Sequence, residues 1–582
     1  MISYEQGKIC VLLNACEQAS YDMGSEKNAV VADGNGGLLS YKVNDRPENF
    51  VLPFLSATLT VGGKPLDPSS QKKVTMGGRM QKVEYAFGAQ KVTATVFTEK
   101  ETSGVFFSFT TEGAPFTLAL DLRAVKTMAS KRGDYFEEGE FCLSFSEQVD
   151  WMQENESFYV TAKRVNVLLS VGEAPAEHKK AFAAFEQKRA LTEEEVSSVV
   201  FPAAVKTEEE KAFYLQSYFA ALQNFKVAGA FKAFAAGSEY TYPLRTYFRD
   251  SYFTVLCMLG THPELVREEL LTLAKCIDNG ACPSAVKSDF TAFWGNHYDS
   301  PSLFIIQLYD YVRTTGDESI LSEPCGDGVL LDQVQNILKK LSEYCDDSGL
   351  IYKEGLNRRD WADEVNRGGY VTYVEALYAR ALYAAAALYE GHDATLSALY
   401  LKKFTLVKKA INDLLFDPKK GYYVNFKSRE FTEDNLSIDT VFTLLFDLAE
   451  GERAALVLNN MERILESANN KTQPGGDFGA MCVYPLYQRV GEAVHKSARP
   501  FDYHNGANWP FLTAMYAYAK AKFGREWRDV LLAPFRYCLP RGIYTAVEYF
   551  SPYCKAGSRL QAWSSAVAFT YQNAQECKFF NK

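Results

Sequence analysis

The spacing of apolar residues changes character once along this chain, near residue 205, and that break sets what it can fold into. Before it, short runs alternate between apolar and polar residues: Lys91–Phe97, Val105–Thr110, Phe116–Leu122 and Phe158–Ala162. A period of two puts successive side chains on opposite faces of a strand. Glycine-rich turns at Asp33–Gly37, Gly62-Gly63 and Gly77-Gly78 punctuate the runs. Many short strands so spaced predict a sandwich of antiparallel sheets over roughly the first 200 residues. After the break the period is helical. Thr207 followed by Glu208, Glu209 and Glu210 marks a helix start, with a hydroxyl to cap it and acids in its first turn. About twelve helices are expected, near 208–224, 250–260, 264–278, 302–315, 329–346, 370–390, 396–415, 438–449, 451–467, 510–523, 526–537 and 561–573. A chain of 582 residues is too long for one ordinary core. The expected class is therefore α+β and multidomain: a β-sandwich over 1–204, a helical linker over 205–235 and a helical domain over 236–582.

Bulk properties exclude several functions. A net charge of −10 gives no electrostatic support for binding nucleic acid. The first residues lack a basic stretch followed by an apolar run, so no signal peptide is expected. No apolar stretch approaches the ~20 residues needed to cross a bilayer, so no membrane role is expected. Twelve cysteines form no C-x-x-C pair, which predicts free thiols and a cytoplasmic protein. The six histidines are never spaced three or four apart, so no metal is expected. Phosphate-binding and dinucleotide glycine motifs are missing too, and no cofactor is expected.

Chemistry-bearing residues concentrate in loops of the helical part. Arg249 and Asp250 sit side by side, a donor and an acceptor suited to adjacent hydroxyls of a sugar. Trp294 beside Gly295 can expose an indole face, and Asp299, just ahead of a helix, is either a sugar contact or, with Ser300, only a helix cap. Asp360, Asp363 and Glu364 fall within five residues of Arg359–Gly369. They read either as an acid-rich helix start or as catalytic carboxyls, one of them protonated because its neighbours raise it. The stretch Phe501–Pro510 holds His504, Asn505 and Trp509 in a loop too polar and aromatic for a linker. Glu548 and Gln561 follow in an aromatic setting.

Taken in order, these clusters resemble the (α/α)6-barrel glycoside hydrolases. Ala362–Asn366 is similar to the catalytic-acid segment of family 15 glucoamylases, as are Trp294-Gly295 with Asp299–Leu303 and Arg249-Asp250-Ser251. Trp361-Ala-Asp363 with Arg367–Gly369 and Val374–Leu377 resembles the amylo-α-1,6-glucosidase part of glycogen-debranching enzymes. So do Tyr503–Gly506 with Trp509-Pro510, and Glu548 with Gln561–Ser564. Asp360–Asp363 is more distantly similar to the acid segment of family 94 disaccharide phosphorylases, which join an N-terminal β-sandwich through a helical linker to the barrel. Motifs carry the resemblance over 205–575, and architecture alone over 1–200. Two departures stand out: Asp363 replaces the glutamate of glucoamylases, and the stretch after Arg367 does not keep the debranching spacing. The resemblance implies an (α/α)6 barrel over 236–582 and an exo-acting, inverting glycoside hydrolase. Asp363 would be general acid and Glu548 general base, with carboxyls ~6.5–9.5 Å apart. Arg249 and Asp250 would grip hydroxyls, Trp294, Trp361 and Trp509 would form walls, and Asp299, Glu364, His504, Asn505 and Gln561 would add polar contacts. Asp360 is expected to be structural. The implied partner is an oligosaccharide or glycoside, with glucose favoured. An inverting disaccharide phosphorylase and a non-catalytic carbohydrate-binding protein are the alternatives.

Overall fold

The computed structural model describes every residue except 47–53, 68, 123–130, 133–134, 139–140, 147–148, 155–156, 490, 554–555 and 582. Two antiparallel sheets occupy the N-terminal part. A ten-stranded sheet starts at Ile2–Glu5 and Lys8–Asn14, runs through Gln71–Gly77, Met80–Phe87, Gln90–Thr98, Val105–Thr111 and Arg164–Val171, and ends on the strands between 131 and 145. The second sheet, of eight strands, orders Trp151–Glu154, Ser157–Ala162, Phe116–Leu122, Leu55–Val61, Leu38–Val43, Asn28–Ala32 and Tyr21–Gly24, with Lys64–Pro65 paired to Leu55–Val61. Burial alternates residue by residue along Phe116–Leu122 and Met80–Phe87, as the period of two requires. Val92, Ala94, Phe107, Phe109, Leu118 and Leu120 are all fully buried in one apolar core.

The helical part opens at Glu208–Asn224. Thr207 Oγ1 accepts the Glu210 N–H at 3.1 Å, and the Glu210 carboxylate accepts the Thr207 N–H at 2.9 Å. This reciprocal cap satisfies two amides that a helix end leaves free. Helices Pro263–Ala274, Ser300–Thr315, Leu330–Ser342, Thr372–Tyr389, Ala394–Leu414, Gly451–Leu465, Pro510–Lys522 and Arg528–Cys538 follow close to their expected places. Three expectations need correction. Pro175–Ala183 and Phe185–Ser197 are helices inside the stretch read as strands. Their Ala-, Glu- and Lys-rich sequence favours a helix, and Phe185 packs edge-on against Phe97 and Phe106 of the sheet at 5.5 Å. Residues 205–235 are not helical throughout, since a hairpin of Phe225–Ala228 and Phe231–Phe234 follows the first helix. The helix expected over 438–449 is a 3-10 turn, Ile438–Val441, and one α turn, Phe442–Leu445.

Aromatic side chains of several helices, most of them at helix starts, pack together. Phe253 meets Phe442 at 5.9 Å and Phe511 at 4.7 Å, Tyr373 meets Phe442 at 5.7 Å, and Phe511 stacks on Trp563 at 4.1 Å. The loops that feed these helix starts are the polar-aromatic clusters of the sequence, so packing the starts together gathers those loops. The sheets also reach this end. Arg559 Nε donates to Asp22 Oδ2 at 2.7 Å, and the Leu244 N–H donates to Asp45 Oδ1 at 2.9 Å. Among the described residues, no helix is long and apolar enough to cross a membrane.

Candidate active site

Asp363 and Glu364 stand at the tip of a loop whose base is pinned by charge. The loop spans the antiparallel strands Lys353–Asn357 and Arg367–Val371 and leads into Thr372–Tyr389. Gly369 holds a left-handed φ of +69°, where a Cβ would lie 2.3 Å from the Lys427 carbonyl oxygen. Beneath the tip, Asp360 accepts from Lys353 Nζ at 2.7 Å and from Arg367 Nη2. Arg367 Nη1 and Trp361 Nε1 both donate to Asp439 Oδ2, at 2.7 and 2.5 Å. Burial pushes the Asp360 carboxyl up, but the two cations outweigh it and hold it far below the usual carboxylate range. Asp360 thus serves the framework.

Asp363 differs. Its side chain is 21% exposed, 3.9 Å from Arg249 Nη2 and 3.9 Å from His504 Nε2. Burial pushes its carboxyl up to about 7; Arg249 opposes the rise, while Glu548, Glu364 and Asp250 add to it. Glu364 accepts the Ser497 N–H at 3.2 Å.

Glu548 arrives from a different loop. Val547 and Asn508 lie in bridges with Arg559 and Phe550, which fix the backbone on either side. Glu548 Oε1 accepts from Tyr503 Oη at 3.3 Å and Oε2 accepts the Ser558 N–H at 3.1 Å. Burial raises this carboxyl as well, but the Ser558 amide, the Lys496 ammonium and the Tyr503 hydroxyl all favour its ionised form. Asp250 lies in the first turn of Phe248–Val255, accepts from Gln561 Nε2 at 3.2 Å, and is pushed up to about 7 by burial. Asp363 and Asp250 therefore crowd one guanidinium, and the Glu548 carboxyl adds to the repulsion that raises both.

A cleft of about 700 Å³ opens over Asp363 and Glu364. Trp294, Arg358, Arg359, Asn366, His495 and Tyr503 are among its other walls. A second cleft, of about 610 Å³, lies on the Ser558 side and is lined by Glu239, Lys496, Arg499 and Tyr549. Trp294 is 56% exposed. The other two tryptophans are covered: Trp361 and Trp509 are 2% and 1% exposed and form a layer with His504, which stacks on Trp509 at 4.7 Å. Burial holds the His504 imidazole well below its ordinary value, so the ring is neutral. Asp299 does not cap its helix; it is fully buried and accepts from Arg249 Nη1 at 3.2 Å. Asn505 Oδ1 accepts the Tyr487 N–H at 3.0 Å. Arg249 Nε, Gln561 Oε1 and both His504 ring nitrogens are buried without a hydrogen-bond partner among the described residues. Among the described residues, no group of three His, Cys, Asp or Glu side chains is arranged to hold a metal ion.

All the residues singled out in the sequence fall in or directly beneath this region. Two neighbours were passed over. Tyr503 belongs to the Tyr-His-Asn-Gly motif yet reads as one more aromatic, and Lys496 has no motif at all. Their importance comes from contacts that sequence spacing does not encode.

The chain matches the family described as amylo-alpha-1,6-glucosidase over residues 232–570, more than half its length. Its structure is similar to that of a bacterial glucoamylase solved with acarbose, with a TM-score of 0.57 and 13% identity over 98% of this chain and 97% of the other. A rhamnosidase from Klebsiella oxytoca, solved with rhamnose bound, has a TM-score of 0.48 and 15% identity over 96% and 95% of the two chains. No curated protein matches by sequence. The glucoamylase similarity shows a shared fold, and the family match shows that the chain belongs to the amylo-alpha-1,6-glucosidase family, whose members are glycosidases.

Proposed function

We propose that this glycosidase is exo-acting and inverting, removing a terminal sugar, with glucose favoured, from an oligosaccharide or glycoside. Its helices form an (α/α)6 barrel over 236–582, behind an N-terminal sandwich over 1–204 and a linking segment over 205–235. The reading rests on one observation: Asp363 and Glu548 approach from separate loops, and although burial raises both carboxyls, Glu548 accepts hydrogen bonds that favour its ionised form. Asp363 is pushed up to about 7 and holds a proton near neutral pH. Glu548 accepts two hydrogen bonds suited to a carboxylate. Glycoside inversion requires that division. Asp363 protonates the leaving oxygen, and Glu548 draws a proton from water attacking the opposite face of the sugar. Arg249 and Asp250 hold hydroxyls, and the unpartnered polar atoms of Arg249, Gln561 and His504 suit a ligand rich in hydroxyls. Trp294 offers its exposed face to the leaving group. Trp361, Trp509, Asp299 and Asn505 keep this set in place from below.

Asp363→Asn and Glu548→Gln are expected to lower kcat by about 10³-fold or more while the protein stays folded. Wild-type turnover in either variant removes that residue's role. Proton NMR of the first-formed sugar is expected to show the anomer opposite to that of the substrate. Release of the retained anomer overturns inversion, and phosphate-dependent release of a sugar 1-phosphate replaces hydrolysis by phosphorolysis.

A further inference from the structure

Tyr503 occupies a backbone position that costs free energy to hold. Its φ is +46°, in the left-handed region that a bulky residue rarely adopts. Three contacts hold it there. Its carbonyl accepts from Trp509 Nε1 at 3.0 Å and from Cys482 Sγ at 3.6 Å. The turn closes through the Asn505 N–H to the Asp502 carbonyl at 2.9 Å. Its ring packs against His504 at 4.2 Å and against Trp509 and Tyr549, each at 4.9 Å. The outcome of this investment is the place of one atom, the hydroxyl that donates to Glu548 Oε1 at 3.3 Å.

A cation completes the arrangement. Lys496 Nζ lies 4.9 Å above the Tyr503 ring and 5.9 Å from the Tyr549 ring, and among the described residues it has no carboxylate within ion-pair distance. Lys496 lies on the 3-10 turn His495–Ala498, whose Ser497 N–H binds Glu364 of the acid loop. Opposite Oε1, the Ser558 N–H holds Oε2, and Gly557 packs so close that a Cβ there would lie 2.6 Å from Oε2.

We propose that Tyr503, with Lys496 over its ring, is a positioning residue for Glu548: it fixes one carboxylate oxygen and leaves the group oriented toward water. The proposal rests on the reading of Glu548 as general base. The other ionisable groups facing Glu548 are Glu239, Asp250, Asp363 and Tyr240, of which the carboxylates oppose its ionisation. Lys496 and the Tyr503 hydroxyl are the counterweight. A general base works only when ionised, so activity is lost as pH falls through its pKa. Removing either counterweight moves that acid limb to higher pH.

The test compares kcat/KM against pH for the wild type, Tyr503→Phe and Lys496→Met on 4-nitrophenyl α-glucoside, alongside crystal structures of the wild type and Tyr503→Phe. The phenylalanine variant is expected to shift the acid limb up by roughly one unit, a loss of about tenfold on that limb, with a much smaller change on the plateau. Lys496→Met is expected to shift it in the same direction by less, about threefold on the limb, since that charge acts through a ring and solvent. The Glu548 carboxylate of Tyr503→Phe is expected to rotate away from its wild-type position. A purely structural tyrosine would lower kcat at every pH without moving the limb. An unmoved limb together with an unmoved Glu548 carboxylate overturns the proposal. Full activity of Glu548→Gln overturns instead the reading beneath it, so the two failures are distinguishable.

Discussion

At the scale of single residues, three acids within five positions divide by what surrounds them. Asp360 is fully buried between Lys353 and Arg367, whereas Asp363 shares its space with other carboxyls. Removing one partner of a buried ionic group leaves the others uncompensated. Asp360→Asn is therefore expected to destabilise the fold by about 3–5 kcal/mol in urea unfolding at neutral pH. The sign follows from linkage. The folded state holds the Asp360 carboxyl below its unfolded value, so its contribution is present above the ordinary carboxylate range and is lost as pH falls. The variant should accordingly lose less stability than the wild type on acidification. A variant as stable as the wild type at neutral pH would show that the cations find other partners.

At the scale of elements, the acid loop is held by a neighbouring strand-like segment. The Asn366 N–H donates to the Glu492 carbonyl at 2.8 Å, Asn366 Nδ2 donates to the Gly491 carbonyl at 2.7 Å, and the Val494 N–H donates to the Glu364 carbonyl at 3.0 Å. The Glu492 side chain is buried and faces the Glu433 carboxyl. Burial and the neighbouring Glu433 carboxyl push it up to about 8, so Glu492 holds a proton near neutral pH. Its contribution is full below the ordinary carboxylate range and declines as pH rises through the raised value. Glu492→Gln removes the penalty for ionising the pair. Its thermal midpoint is expected to match the wild type near pH 4.5 and to exceed it by roughly 2 °C at pH 9. Equal midpoints at both pH values would show that the pair does not strain the segment. None of this pairing is visible in the sequence, where Glu433 and Glu492 lie far apart in unremarked loops.

At the scale of the whole molecule, the N-terminal sheets touch the base side of the site. Arg559 bonds to Asp22 and to the Ser20 carbonyl, and lies in a bridge with Val547, next to Glu548. Asp22 is fully buried, so Arg559→Met leaves a carboxyl in an apolar sheet without its cation. The variant is expected to lose about 1–3 kcal/mol of stability and at least tenfold in kcat, read by urea unfolding and steady-state kinetics. Wild-type kcat in a destabilised protein would show that the sheets support the fold but not the base.

The sequence by itself determined most of the elements and their order. Periods of two and 3.6 are local properties of consecutive side chains, and so were legible as strands before 171 and as helices such as Glu208–Asn224, Ser300–Thr315 and Pro510–Lys522. The helices at Pro175–Ala183 and Phe185–Ser197 lay inside the stretch expected as strands, although their composition favours a helix. Motif order likewise singled out Arg249, Asp363, His504 and Glu548. Only the tertiary structure decided what each does. It put Asp299 behind Arg249 instead of on its helix cap, covered Trp361 and Trp509 while exposing Trp294, and set Tyr503 and Lys496 against Glu548. The physical reason is range: helix and strand periods act between near neighbours in the chain, whereas burial, charge pairing and the state of a carboxyl depend on whichever distant segments the folded chain brings to it.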